Sequence, residues 1–349
     1  MLPFNFRLPL DRKNNPMTIQ QIVLASRPKG TPTIANFRFE NIELPEVQTG
    51  ELLLKGMYYS IDPYMRRRMN DIKSYSPPFQ TDKAIEGSVI AKVIESKSTN
   101  FKAGDIVLGG LPWRKQMIAS EKAVQKINTG IAPPSYYLGI FGMTGLTAYF
   151  RLMNIGKPKA GDTVVVSGAA NAVGVVIGQI DKIQGCRIIG IAGTDEKIAL
   201  LKKDFGFDDA INYKTTSNLK AAIAALCPNG VDIYFDNVGG DISDAVVANI
   251  NFHARIPLCG QISLYNITEQ PVGPHLQPML LTRSVLLLGF IISNFQSRFP
   301  EGIQHLAQWM KEGKLKFTET IVHGFDKLPT ALLGLFKGEN MGKLIAKAY

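Results

Sequence analysis

The chain has 349 residues, of which 45% are hydrophobic and 19% charged, and its formal net charge is +10. These values are typical of a globular protein with room for two domains, and no apolar run is long enough to cross a membrane. The basic residues are spread along the chain, and the densest run, Arg66 to Arg68, is short and has no interleaved aromatic residues. We therefore expect a surface that attracts an anionic cofactor, and neither a nucleic acid nor a membrane as partner.

The N-terminal segment and the cysteines indicate the compartment. Residues 1–17 are rich in Pro, Asn and basic side chains and lack the apolar core of a secretory signal, so we predict a flexible tail there. Cys186, Cys227 and Cys259 are an odd, widely spaced set. Such a set is no disulfide framework and favours the cytoplasm.

Residues 18–135 are predicted to form a β-rich domain. Segments such as 51–58 and 84–95 alternate apolar and polar side chains, and Pro and Gly separate them. No cysteine precedes Cys186 and no histidine precedes His253. Because this domain offers zinc neither thiolates nor imidazoles, we expect no metal.

From about residue 136, predicted strands alternate with helices, which indicates an α/β fold with a doubly wound parallel sheet, the Rossmann fold, over residues 136–299. A helix is predicted at 301–312, where Ile303, Leu306, Ala307 and Met310 stand at helical spacing. The strands are predicted at 163–167, 187–192, 210–212, 231–236, 254–259 and 285–292.

Residues 163–197 carry the strongest functional signal, because they read as strand, turn, helix and strand. The turn holds Gly168, Asn171, Ala172, Val173 and Gly174. Small residues there let backbone amides approach a diphosphate at the positive end of a helix. A tight turn without a ligand is the alternative, but the strand–helix–strand context favours a bound nicotinamide dinucleotide.

The residues after the second strand leave the choice between NAD and NADP open. Asp195 and Glu196 stand near the position where NAD enzymes place an acid on the ribose. The same two acids also suit the first turn of a helix capped by Thr194. In that case Gly193 leaves room for a 2′-phosphate, with Lys197 as its cation.

A series of motifs follows one order along the chain: YYSIDPYMRRRM (58–69), GMTGLTAYF (142–150), GAANAVGVVIGQI (168–180), GTDEK (193–197), FDNVGG (235–240), CGQISLYN (259–266), GFII (289–292) and LFKGENMGKLI (335–345). This series resembles the medium-chain dehydrogenase/reductase superfamily, and within it the zinc-independent NADPH-dependent double-bond reductases, such as prostaglandin, alkenal and bacterial curcumin reductases. The family usually has Gly where this chain has Asn171, whose side chain we expect to project toward the diphosphate and whose backbone tolerates a positive φ.

The resemblance implies NADP(H) as cofactor and assigns residues 18–135 and 300–349 to a β-rich, GroES-like catalytic domain. It implies catalytic roles for Tyr265 and Tyr64, whereas Arg66 to Arg68 read as a solvated face. The implied cofactor contacts are the turn residues 168 and 171–174 together with Met143, Thr147, Lys197, Tyr213, Asn237, Cys259, Gly260, Ser263, Tyr265, Phe290, Ile291, Ile292 and Asn340.

The implied reaction is the NADPH-dependent reduction of the C=C bond of an α,β-unsaturated ketone or aldehyde, by hydride transfer to the β-carbon. The resemblance also implies a homodimer that acts on a small enone or enal. Two alternatives stay open: a zinc-free NADPH quinone reductase, and a non-catalytic module that binds NADPH or RNA, which the net charge of +10 keeps in consideration.

Overall fold

The computed structural model describes residues 17–349. The tail predicted for residues 1–17 lies outside the described residues except for Met17, which begins the first strand. The helices are α1 (Tyr64–Arg68), α2 (Met143–Arg151), α3 (Gly174–Ile183), α4 (Asp195–Phe205), α5 (Leu219–Leu226), α6 (Gly240–Val247), α7 (Gln277–Thr282), α8 (Phe299–Lys311) and α9 (Leu328–Leu335).

The strands share an alternation or a continuous run of apolar side chains. They are β1 (Met17–Leu24), β2 (Phe37–Leu44), β3 (Glu51–Ser60), β4 (Glu86–Ser96), β5 (Ile106–Pro112), β6 (Gln116–Ser120), β7 (Val124–Lys126), β8 (Thr163–Ser167), β9 (Arg187–Ala192), β10 (Asp209–Asn212), β11 (Val231–Phe235), β12 (Ile250–Leu258), β13 (Leu286–Gly289), β14 (Glu319–His323) and β15 (Lys343–Lys347).

Within the described chain, six parallel strands form one sheet in the order β10-β9-β8-β11-β12-β13. β8 lies in the middle and every residue in it is buried, which explains its continuous Val run. From β8 the chain first adds β9 and β10 on one side and then β11, β12 and β13 on the other, so the strand order reverses beside β8. Ligands bind at this reversal point in such sheets. The predicted α/β Rossmann fold is confirmed.

The last strand of this sheet is shorter than predicted. Residues 285–292 read as one apolar strand, but β13 covers only Leu286–Gly289. The backbone then leaves the sheet, because the amide of Ile291 donates to Oδ1 of Asn294 and a 3₁₀ turn begins at Ile292. A run of apolar residues does not distinguish these two conformations.

The β-rich half is built on a sheet of seven strands among residues 17–349, in which β6 also pairs with β3. β14 and β15 come from the C-terminal segment and join β3, whereas α8 packs against α2 beside the parallel sheet. The domain boundaries at residues 135 and 300 stay a prediction. In the part of the chain that is described, no helix combines the length and the apolarity needed to cross a membrane.

Candidate active site

The turn after β8 places small residues against one another. Gly168 has a φ of +58°, and a Cβ on Gly174 would lie 2.6 Å from the carbonyl oxygen of Gly168. Only glycine therefore fits at the start of α3. The backbone amides at this helix start point out of the carboxyl edge of the sheet, which is the arrangement that binds phosphate groups.

Asn171 behaves differently from expectation. Its φ is not positive, so the turn makes no use of the tolerance of Asn for that region. Its side-chain Oδ1 accepts hydrogen bonds from the amides of Val173, at 2.9 Å, and Gly174, at 2.8 Å. The side chain thus folds back on the first amides of α3 and caps the helix.

The loop after β9 gathers positive charge around a glycine. A Cβ on Gly193 would lie 3.1 Å from the ring of Tyr213 and 3.3 Å from Cε of Lys214. Burial lowers the pKa of Lys197, and the nearby Lys214 lowers it further. Nζ of Lys197 donates to the carbonyl of Gly338 at 2.6 Å. Two neighbouring lysines fit an anionic group such as a 2′-phosphate; the motif analysis missed Lys214.

The acidic residues after β9 make contacts within the protein. Thr194 caps α4 by accepting from the amide of Lys197, as predicted, and Asp195 and Glu196 lie in the first turn. Oδ1 of Asp195 accepts from Asn212 at 2.7 Å. Asp195 therefore stabilises the start of α4 and joins it to the end of β10.

Asp236 organises the loops at the carboxyl ends of β8, β11 and β12, and sequence reasoning missed it. It is 1% exposed, and six donors surround its two oxygens, which explains why a carboxylate is tolerated there. A buried acid directly after an apolar strand was the available signal. The donors are the hydroxyls of Ser167, Tyr234 and Ser243, the side-chain amide of Gln261, and the backbone amides of Val238 and Gly239.

Four predicted cofactor residues pack on the same loops. Asn237 donates from Nδ2 to the carbonyl of Ser167 at 2.8 Å. The amides of Cys259 and Gly260 donate to the carbonyl of Asp236 at 2.8 and 3.0 Å. Ser263 donates from Oγ to the carbonyl of Val238 at 2.7 Å. The fold therefore brings these residues together at one edge of the sheet.

Tyr265 follows this loop at the end of a 3₁₀ turn (Ile262–Leu264). Its hydroxyl lies 3.8 Å from the point that a Cβ on Gly260 would occupy. The guanidinium carbon of Arg67 lies 5.7 Å from the centre of its ring. Burial raises the pKa of Tyr265, so the phenol is protonated at neutral pH and can donate a hydrogen bond.

Tyr64 lies in the β-rich half of the protein. It begins α1 and lines a small cleft with Arg67, Ile72 and Tyr75. Burial raises the pKa of Tyr64, and burial followed by the proximity of Tyr265 raises that of Tyr75. Tyr265 does not line this cleft itself but lies close to two residues that do, Arg67 and Tyr75, and both of these were missed.

The three arginines of α1 do not form a uniformly solvated face. Arg66 is 2% exposed, and its guanidinium donates to Asn266 Oδ1 at 2.9 Å, Asn70 Oδ1 at 2.7 Å and the carbonyl of Gly30 at 2.6 Å. The prediction was wrong for this residue because one of its partners lies 200 positions away in the chain.

Two of the predicted cofactor residues lie on α2, whose C-terminal end reaches Phe290 after β13. Met143 begins α2, and Thr147 is buried within it. The guanidinium of Arg151 donates to the carbonyls of Leu258 and Phe290 and lies over the Phe290 ring. This arginine, also missed, joins the ends of two strands. Ile292 packs beside them on the core of the parallel sheet.

The C-terminal motif at residues 335–345 contacts the turn after β8. The amide of Gly342 donates to the carbonyl of Ala170 at 2.8 Å, and Asn340, which is buried, donates from Nδ2 to the carbonyl of Gly342. Nζ of Lys343 and Oδ1 of Asp62 form an ion pair of 2.7 Å in which both side chains are almost fully buried. Asn340 therefore lies beside the turn after β8, and its contact with the cofactor stays a prediction.

Comparison with known proteins identifies the family. A model described as the N-terminal domain of oxidoreductase matches residues 20–127, and one described as zinc-binding dehydrogenase matches residues 172–308. The putative NADP-dependent oxidoreductase YfmJ of Bacillus subtilis is 56% identical over 94% of this chain and 97% of its own length. The chain belongs to the medium-chain dehydrogenase/reductase family.

Two further relatives place the chain among the reductases of this family. The NADPH-dependent curcumin reductase of Escherichia coli is 41% identical over 93% of this chain and 95% of its own length. The crystal structure of CurA in complex with NADPH from Vibrio vulnificus is 42% identical, with a TM-score of 0.90 over 95% of this chain and 99% of that one. The resemblance inferred from the motifs is confirmed.

The zinc in the name of the second family model does not fit this chain. Residues 1–185 contain no cysteine and no histidine. Over residues 17–349, no three His, Cys, Asp or Glu side chains converge in a way that could hold a metal ion. The site offers tyrosines, lysines and backbone amides, whose individual roles stay predictions.

Proposed function

We propose that this protein reduces the C=C bond of an α,β-unsaturated ketone or aldehyde with NADPH. The observation that carries the proposal is the position of Tyr265: a protonated phenol lies in the loop after β12, at the carboxyl edge of the parallel sheet, close to Arg67 and Tyr75 of the cleft that Tyr64 also lines. Such a donor stabilises negative charge on a carbonyl oxygen without a metal ion.

The protein is an NADP-dependent oxidoreductase of the curcumin, prostaglandin and alkenal reductase type. The amides at the start of α3 would hold the diphosphate in place of the Asn171 side chain that they contact in the free protein, and Lys197 with Lys214 fits the 2′-phosphate. When bound, NADPH supplies the hydride. Met143, Thr147 and the backbone from Phe290 onward border the place for the nicotinamide.

The side chains of this protein would then act on the substrate. As the β-carbon gains hydride, negative charge develops on the carbonyl oxygen, and Tyr265 donates a hydrogen bond to that oxygen. A proton from water or from Tyr265 completes the reduction at the α-carbon. Tyr64 orients the substrate from the opposite wall of the cleft.

A second copy of the chain is the expected protein partner. β13 is the edge of the parallel sheet, and Leu286, Leu287 and Leu288 are 46%, 36% and 44% exposed. An open apolar edge of this kind pairs readily with an identical edge. We propose a homodimer joined at β13, in the cytoplasm, where cysteines such as the partly exposed Cys259 stay reduced.

A substrate panel tests the proposed reaction. We expect NADPH oxidation with enones and enals, a saturated carbonyl product, and no turnover of simple alcohols with NADP⁺. Faster turnover of a quinone than of any enone would instead support the zinc-free quinone reductase. Salt-sensitive RNA binding without NADPH oxidation would support the non-catalytic module.

A further inference from the structure

The side chain of Asn171 occupies the amides that a diphosphate would use. Oδ1 accepts from the amides of both Val173 and Gly174, and the main-chain carbonyl of Asn171 accepts from Val175 at 3.1 Å. One residue thus satisfies three successive donors at the start of α3. Helix-start amides have no partner within the helix, so a carbonyl oxygen is a good substitute for a phosphate oxygen.

We infer that Asn171 is an internal competitor of the cofactor diphosphate, and that its side chain must swing off α3 before NADPH binds fully. This inference rests on the proposed use of the turn by NADPH. The two hydrogen bonds lost by Asn171 are a cost that a residue without a polar side chain would not have. Asn171 therefore sets the cofactor affinity without any contact to the nicotinamide.

The local geometry allows the side chain to leave. Asn171 is partly exposed, whereas Gly174 beside it is buried. Nδ2 of Asn171 lies 2.9 Å from the point that a Cβ on Gly168 would occupy, on the same side as the loop of Asn237 and Val238. Because the φ of Asn171 is not positive, alanine adopts this backbone without strain.

The decisive measurement is the equilibrium dissociation constant of NADPH, read from the quenching of protein fluorescence. We expect Asn171→Ala to bind NADPH more tightly by about fivefold, the factor that corresponds to one lost Asn cap. We expect Asn171→Asp to bind at least about tenfold more weakly, because a carboxylate holds the amides more strongly and repels the diphosphate. The polar Asp variant keeps the cap, so it reports on the inference even if Asn171→Ala folds poorly.

Two controls separate the diphosphate from other effects. Asn218 caps α5 through the amide of Ala221 in the same manner and lies outside the proposed site. Asn218→Ala and Asn171→Ala should both lower the melting temperature of the free protein, and Asn218→Ala should leave the affinity for NADPH unchanged. Adenosine 2′-monophosphate, which lacks the diphosphate, should bind wild type and Asn171→Ala equally.

The outcomes are distinct. NADPH binding by Asn171→Ala that is equal to or weaker than that of wild type overturns the inference, since the hydrogen bonds of Asn171 would then not oppose cofactor binding. Equal gains for NADPH and adenosine 2′-monophosphate also overturn it. NADPH binding without enone turnover overturns the proposed reaction alone. Failure of every variant to bind NADPH overturns both.

Discussion

Nε of Arg66 donates to Oδ1 of Asn266 at 2.9 Å, which joins α1 of the β-rich half to the loop that carries Tyr265. The same guanidinium holds the carbonyl of Gly30. Arg66 touches neither the proposed cofactor groups nor the hydroxyl of Tyr265. It acts as a positioning residue that sets the distance between the two walls of the cleft.

Arg66→Met should lower kcat for an enone by about tenfold, because hydrogen bonds from a charged donor are worth roughly that much. The dissociation constant of NADPH should not change, and Asn266→Ala should reduce kcat in the same direction. Asn70 provides the control: it accepts from the same guanidinium at 2.7 Å just after α1 and not from the loop, so Asn70→Ala should retain wild-type kcat. Equal losses in Arg66→Met and Asn70→Ala would show that Arg66 only stabilises α1.

Tyr265→Phe should reduce kcat for an enone by about 10²-fold, the usual effect of removing one donor to a developing oxyanion. Affinity for NADPH should stay within a factor of two to three. Because burial raises the pKa of Tyr265 above its ordinary value of 10, the wild-type rate should show no loss from ionisation of this phenol between pH 6 and about 9. A variant with unchanged kcat would exclude the proposed donor.

Lys197→Ala and Lys214→Ala should each weaken NADPH binding by about tenfold and leave NADH binding unchanged, since NADH lacks the 2′-phosphate. The double variant should lose most of the preference for NADPH. Lys203→Ala, which removes an exposed lysine from the same helix α4, is the matched control for net charge. A parallel loss of NADH affinity would place the two lysines elsewhere on the cofactor.

Asp181 should make the protein less stable as the pH rises. It is fully buried on α3, and neither carboxylate oxygen has a hydrogen-bond partner within residues 17–349. Burial raises its pKa well above the ordinary value. The folded state therefore keeps a proton that the unfolded state releases near pH 4, and stability falls from there up to the folded pKa.

Asp181→Ala removes this dependence. The variant should be more stable than wild type at pH 7 by more than about 1 kcal/mol, and the difference should vanish toward pH 4. Urea unfolding at several pH values measures it. Asp71→Ala, at a side chain that is 75% exposed, should change stability by less than about 0.5 kcal/mol at every pH. If the difference in the free energy of unfolding between Asp181→Ala and wild type did not change with pH, Asp181 would not keep its proton in the folded state.

The features that were predicted well are local ones. The strands at 163–167 and 187–192 were predicted to the residue, because a β-branched apolar run and the small-residue turn after it are encoded within a few positions. The capping of α4 by Thr194 is equally local. The end of β13 was missed because an apolar run continues while the backbone leaves the sheet.

The site was predicted as a set of motifs but not as a set of contacts. Asp62 forms a buried ion pair with Lys343, 281 positions later in the chain, and no pattern within either motif indicates this pair. Arg66 was predicted to be solvated, but it is buried and donates to Asn266, which is distant in the sequence. Asn171 was expected to project toward the diphosphate, and its side chain instead caps the helix that would bind it.

The order of residue types along the chain was therefore sufficient for the alternation of strands and helices, the dinucleotide-binding turn and the family, because each depends on neighbours a few positions apart. Which charged groups are buried, and which residue holds the Tyr265 loop in place, was decided only when distant segments packed together. The physical reason is that desolvation and hydrogen-bond partners are properties of the assembled interior, and a single stretch of sequence does not specify them.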